Sequence, residues 1–205
     1  MLTEYILKPA YLESAPASWT VVGYSQTQQG RNTHMTTLEA RLAAVEAQLS
    51  INQTIARYCR ALDWLDESLL RTCYTLDAHI NYGFYKGPVE GFFPVVMEIE
   101  RAALHRSHFL SNVAIQLEGS FAEVECYGIA TSTLDGNTLN IFGGRYLNRF
   151  QQIEQDWKMC RSEYVLDHHF STTMPSLGDA MGELQSGTGL DSTHPLFRSL
   201  YPTVR

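Results

Sequence analysis

Two short stretches carry side chains that could do chemistry. Tyr58-Cys59-Arg60-Ala61-Leu62-Asp63 closes a run of helical spacing with a phenol and a carboxylate, and Arg106-Ser107-His108-Phe109-Leu110-Ser111-Asn112 opens a strand-like run with a histidine. A carboxylate can hold one imidazole nitrogen and leave the other to take a proton. An imidazole, with a reference pKa of about 6.5, serves as a base near neutrality, and the carboxylate favours the imidazolium once it forms. Asp63 and His108 are therefore the candidate acid–base pair, and Tyr58 a candidate donor to a carbonyl or departing hydroxyl. Helical residues five apart lie about 140° apart. Tyr58 and Asp63 share a pocket only if the helix loosens near Ala61 or the two approach from different walls.

Each of these residues also has a plainer reading. His108, Asn112 and Gln116 alternate with Phe109, Val113, Ile115 and Leu117, the pattern of a strand with its polar face in water. Asp63 could end a helix or cap a turn near Asp66, and Tyr58 could be a core aromatic. Asp167-His168-His169 is not read as a metal site, because neighbouring strand residues point to opposite faces and three or more ligands must converge. Gly143-Gly144 lacks the strand-to-helix setting of a phosphate loop and reads as a bulge or close strand approach. Tyr82, Phe84, Phe142, Tyr146 and Tyr164 suit a ring-bearing apolar ligand, with Tyr82, Phe142 and Tyr164 the expected substrate contacts. Core packing accounts for many of these rings equally well.

The elements that must position these groups follow from periodicity. Thr36-Thr37-Leu38-Glu39 reads as a capping box. Leu38, Leu42, Val45 and Leu49 form a narrow stripe expected to pack on another element. Ser50-Ile51-Asn52-Gln53 resembles a second box, so a new helix is expected there, with Ile55, Cys59 and Leu62 inward. A short helix over Asp66 to Tyr74, a strand over His79 to Tyr85 and a turn at Lys86-Gly87-Pro88 come next. Helical spacing from Pro88 to about His105 puts Val95, Ile99 and Ala102 or Ala103 inward. Strands are then expected over 108–117, 121–134, 139–153 and 157–167, with short linkers that make them antiparallel neighbours. Helices first and one long meander after them give an α+β domain, a curved antiparallel sheet under helices with a cone-shaped pocket between. Residues 36–170 are that domain. Residues 1–35 read as an N-terminal extension or arm, and 171–205 as a tail serving as lid, intersubunit arm or surface wrap.

Composition narrows the partners. The net charge of -7 offers no basic patch for phosphates, so neither nucleic acid nor an anionic membrane is expected. No apolar run reaches spanning length, and the N-terminus lacks a basic-then-apolar signal pattern. The four cysteines have no metal-ligand spacing and read as reduced core thiols of a cytoplasmic protein.

With those residues in place, the chain resembles the SnoaL-like branch of the NTF2-like superfamily over roughly 38–170. It is most similar to cofactor-free lyases: bile-acid dehydratases, scytalone dehydratase and hexachlorocyclohexane dehydrochlorinase. The resemblance rests on Tyr58-x-x-x-x-Asp63, Leu76-Asp77-Ala78, Tyr85-Lys86-Gly87-Pro88, His108 and Asn112, Gly143-Gly144-x-Tyr146, and Trp157-Lys158, in that order. It implies an Asp63–His108 catalytic dyad, with Tyr58 lining the site, no cofactor and a small hydrophobic cyclic or aromatic substrate. It also implies a homodimer or homotrimer built through the sheet. Relatives often point an arginine from the last strand into the pocket. Here Ser162 and Leu166 hold the matching positions, and Arg161 is one residue off, which turns a strand side chain to the other face. No role is carried to Arg145 or Arg161. The expected activity is a cofactor-independent elimination or retro-aldol-type loss of a small fragment. Isomerisation by the same proton transfer is one alternative, and a non-catalytic assembly subunit like the beta subunits of ring-hydroxylating oxygenases is another.

Overall fold

Helix α1 (Leu38–Asp63) runs unbroken for 26 residues in the computed structural model, which describes residues 37–174 and 187–201. The Thr37 hydroxyl caps it by accepting the Ala40 N–H at 3.2 Å, one residue later than the sequence pattern implies. No second helix starts at Ser50. Ser50 Oγ instead accepts the N–H of Trp157 at 3.3 Å, and Thr54 Oγ1 donates to the Trp157 carbonyl at 2.8 Å. The cap-like Ser50, with Thr54 one turn on, thus anchors the middle of the helix to a distant strand. Below that anchor the buried face is Ile51, Thr54, Ile55, Tyr58, Ala61 and Leu62. Above it the stripe of Leu38, Leu42, Val45 and Leu49 is exposed rather than packed. The chain divides into Met1–Met35 and Thr36–Arg205; the arm expected over residues 1–35 lies outside the described residues.

Asp66 caps the short α2 (Glu67–Thr72) by accepting the Leu69 N–H at 2.9 Å. The sheet comprises β1 (Tyr74–Asn81), β2 (Lys86–Pro88), β3 (His105–Glu118), β4 (Phe121–Thr133), β5 (Thr138–Ile153) and β6 (Asp156–Thr173), with α3 (Val89–Ala102) between β2 and β3. The strand order is β2-β1-β6-β5-β4-β3, a curved, open sheet in an α+β arrangement. The meander β3 to β6 is antiparallel as expected, whereas β1 enters parallel to β6. Strand β1 begins at Tyr74, before the sequence signal at His79, and the expected turn at Lys86-Gly87-Pro88 is the edge strand β2.

Helix α3 rotates away from the expected face. Its core side is Val89, Phe92, Phe93, Val96 and Met97; Val95 is half-buried and Ile99 exposed. The rings of Phe92 and Phe93 meet Tyr74 edge-on at 6.3 and 6.0 Å between ring centres. The alternation in β3 is broken as well. Register shifts between Ser111 and Ala114, and Asn112 adopts φ +51°, a bulge that turns the strand by one position. Leu110, before the bulge, and Val113, Ile115 and Leu117, after it, therefore all pack on the core. His108 shares the face of Leu110, not the face of Asn112 and Gln116.

Two glycines make room for tyrosines on the inner face. A Cβ at Gly128 would lie 2.6 Å from the Tyr146 ring, and one at Gly144 would lie 2.6 Å from the Tyr164 hydroxyl. The β5–β6 register also shifts at Gly143/Gly144, the bulge expected there. The four thiols are unpaired. Burial pushes Cys59, Cys73 and Cys126 up to about 12, so they stay neutral and unreactive. Among the described residues no helix is long and apolar enough to cross a membrane.

Candidate active site

Asp63 is the last residue of α1, and His108 is the fourth of β3. Strand β3 is the edge of the sheet opposite β2, so part of its backbone faces α1 rather than another strand. Asp63 meets that edge with both oxygens. Oδ2 accepts the His108 main-chain N–H at 3.3 Å, and Oδ1 lies 2.8 Å from His108 Nδ1. One carboxylate thereby fixes the position of the residue and the tautomer of its ring, leaving Nε2 as the working nitrogen. The His108 side chain is 8% exposed and that of Asp63 25%. Burial pulls the imidazole pKa down, but the Asp63 hydrogen bond and the charges of Glu100 and Asp63 outweigh it, and the net shift is upward.

A second carboxylate stands on the other side of the ring. Glu100 Oε1, from α3, is 3.6 Å from His108 Nε2, and the Glu100 side chain is 12% exposed. Burial raises the Glu100 pKa, with Asp63 adding to the shift and His108 and Arg106 opposing it. Arg106 donates from Nε to the Glu100 main-chain carbonyl at 2.9 Å and reaches Leu190 O with its terminal nitrogens. Sequence reasoning missed Glu100 because it placed the wrong face of α3 inward.

A groove of about 600 Å³ opens from the pair between α1 and β3. Asn52, Cys59, Arg60 and Trp64 line it from the helix, Leu110 and Val113 from the strand, and Tyr201 from the tail. The tail segment 187–201 crosses this end of the molecule. Phe197 packs edge-on against Trp64 at 5.5 Å, and the Arg60 guanidinium lies over both rings and donates to the Arg198 carbonyl. A depression of about 550 Å³ on the outer face of the sheet is lined by Gln116, Glu123, Glu125, Arg149, Arg161 and Glu163. It holds surface ion pairs and none of the candidate acid–base residues.

Tyr58 is not brought to the groove. Because α1 stays helical through Asp63, Tyr58 points into the core, 3% exposed, edge-on to Tyr74 and Tyr146 at 6.4 and 6.0 Å. Burial, then the neighbouring phenols, hold its hydroxyl well above the ordinary tyrosine range. Tyr82 and Tyr164 belong to the same phenol cluster; Tyr82 bonds Ser162 at 2.7 Å, and Ser162 donates to Asn148 at 2.5 Å. Phe142 stacks on His169 at 4.5 Å. None of these three lines the groove. Phe142 is nonetheless in line with His108, since His108 pairs with Ala130 and Ala130 with Phe142 across three strands of one face. Arg145 pairs with Asp167 and Arg161 with Glu163, both away from the groove. Arg60 lines the groove and Arg106 holds the Glu100 carbonyl, and sequence reasoning gave neither a role.

The chain matches the SnoaL-like domain family over residues 43–163 and belongs to it. Among solved structures it is similar to a candidate scytalone dehydratase from Novosphingobium aromaticivorans, at TM-score 0.59 and 17% identity over 66% of this chain and 93% of that one. It is also similar to hexachlorocyclohexane dehydrochlorinase LinA-type3 from Novosphingobium barchaimii, at TM-score 0.58 and 17% identity over 67% and 96%. An NTF2-like protein with a cystatin-like fold from Novosphingobium aromaticivorans matches at TM-score 0.55 and 22% identity over 67% and 92%. No curated protein matches the sequence. The fold is the NTF2-like, cystatin-like one of that last neighbour.

Proposed function

We propose that the protein is a cofactor-independent lyase acting on a small hydrophobic cyclic or aromatic molecule. The observation that carries this reading is the double contact of Asp63 with His108 at the head of a groove with aromatic and aliphatic walls. His108, oriented by Asp63, removes a proton from carbon or hydroxyl, and water, another leaving group or a small carbon fragment departs. Such base catalysis is worth about 10²–10⁴-fold. Tyr58 serves by packing the end of α1 that carries Asp63. Isomerisation uses the same proton transfer and differs only in where the proton returns. A purely assembling subunit would have no need of a buried carboxylate–imidazole contact. We further propose that the protein is cytoplasmic and works as a homodimer or homotrimer. The test is to incubate the purified full-length protein with hydroxylated steroids and lignin-derived phenolics, without added cofactor. Turnover of one class supports the reading. Absence of turnover, together with isolation in a stable complex with an oxygenase catalytic subunit, overturns it.

A further inference from the structure

Helix α3 buries Val89, Phe93 and Val96 on one stripe, spaced four and three apart. The next position on that stripe is Glu100. A carboxylate where the pattern calls for a hydrophobe is costly unless something compensates its charge. Among the described residues, the one group within ion-pair distance of its carboxylate is His108 Nε2 at 3.6 Å. That nitrogen is the one Asp63 leaves unengaged.

We propose that Glu100 is a positioning residue of the acid–base site, sharing one proton with His108 Nε2 and so setting whether the imidazole meets a substrate as acid or base. The choice between acid and base rests on the lyase reading; the shared proton does not. A half-buried Asp63 and a nearly buried Glu100 flank a single ring, so a neutral imidazole between two ionised carboxylates would leave like charges close together and Glu100 poorly solvated. Holding one proton in the gap between Nε2 and Oε1 relieves this. The proton has two places. On Nε2 it makes an imidazolium beside a carboxylate, able to donate. On Oε1 it makes a carboxylic acid beside a neutral imidazole, whose Nε2 lone pair is free to accept once the acid turns away. The transfer moves one proton across one gap and leaves the total charge unchanged. At 3.6 Å the gap is wider than a normal N–H···O hydrogen bond, so a modest side-chain rotation opens or closes it. Burial raises the Glu100 carboxyl and its charge in turn raises His108, so each holds a proton more readily than it would in water.

The surrounding charges are few. Asp63 faces the ring from α1, Glu100 from α3, and Arg106 sits two residues earlier on β3. The residue opposite on β4 is Ala130, and the tail contributes Asp191 only through Arg106. Cys59, near Asp63 on α1, is held neutral by burial.

The experiment follows the imidazole of His108 by ¹³C and ¹⁵N NMR in the full chain, assigned with His108→Gln and titrated in wild type, Glu100→Gln and Glu100→Asp. The expected result is a fall of about one pH unit or more in Glu100→Gln, a tenfold loss of proton affinity, with Glu100→Asp retaining most of the upward shift. Coincident titrations of wild type and Glu100→Gln overturn the proposal. The wild-type Glu100 carboxyl ¹³C signal tests the same pairing without a substitution. It should follow the His108 titration, and an independent midpoint in the ordinary carboxylate range would contradict the shared proton. No substrate enters these measurements. A shifted His108 in a protein that turns nothing over would count against the lyase reading alone, and an unshifted His108 in an active enzyme against the shared proton alone.

Discussion

The carboxylate of Asp63 engages the backbone and the ring of the same residue, His108, at 3.3 and 2.8 Å. A helix terminus and an edge strand are therefore fastened by one side chain, and the imidazole cannot turn without losing that contact. Replacing Asp63 with Asn keeps the size and one acceptor but removes the charge. Asp63→Asn should lower the His108 pKa and reduce turnover within the range of about 10²–10⁴-fold typical of acid–base groups. Ring-resolved NMR titration and kcat on the first substrate found check both. An unchanged His108 titration would mean that the charge of Asp63 is not what the ring senses.

Stability should depend on pH through Glu100 and His108 together. Both have folded-state pKa values above their unfolded ones. The native state thus binds these protons more tightly, and their contribution is complete below the unfolded values of about 4.3 and 6.5. It is lost as pH rises through the folded values. Glu100→Gln removes the carboxylate and much of the His108 shift, so wild type should lose Tm relative to the variant as pH rises from about 4 to above 7. Thermal melts across that range test this; parallel curves would contradict it.

Much of the site's frame was legible in the sequence, and the reasons for the misses are local. The boundaries of β4 and β5 were readable because turn residues separate long alternating runs, whereas β6 continues to Thr173, past the end expected at 167. The Asp63–His108 pair was reached by family resemblance rather than by periodicity, because the alternation around His108 reads as water-facing until the bulge at Asn112 is known. Nothing local announces that bulge. Ser50 imitates a helix start because the residues that cap helices are also those that anchor backbone groups at long range. Glu100 was hidden by its own chemistry: a charged residue on a helix is assigned to the solvent side, which rotated the whole face of α3 toward Val95 and Ile99.

The tyrosine layer leans on glycine at Gly128. Gly128→Ala places a methyl 2.6 Å from the Tyr146 ring, inside the cluster of Tyr58, Tyr82 and Tyr164. Overpacking of this kind costs about 1–3 kcal/mol. Urea denaturation should show the loss as a lower midpoint with an unchanged slope. A variant as stable as wild type would mean that the Tyr146 ring shifts aside at little cost.

The tail is held at this end of the molecule by Trp64. Its ring meets Phe197 at 5.5 Å and His194 at 6.3 Å between centres, with Arg60 over the indole. Trp64→Ala removes that seat. Amide hydrogen exchange should rise within residues 187–201 while the strands β4 to β6 keep their protection. Exchange unchanged in the tail would show that Arg106 and its bond to Leu190 suffice to hold it.

The most direct measurement compares turnover by wild type and His108→Ala on the first substrate that the cofactor-free panel identifies, with circular dichroism confirming that the variant is folded. If His108 is the base, the variant folds and its kcat falls by about 10²–10⁴-fold. A folded His108→Ala protein with wild-type kcat would contradict that role.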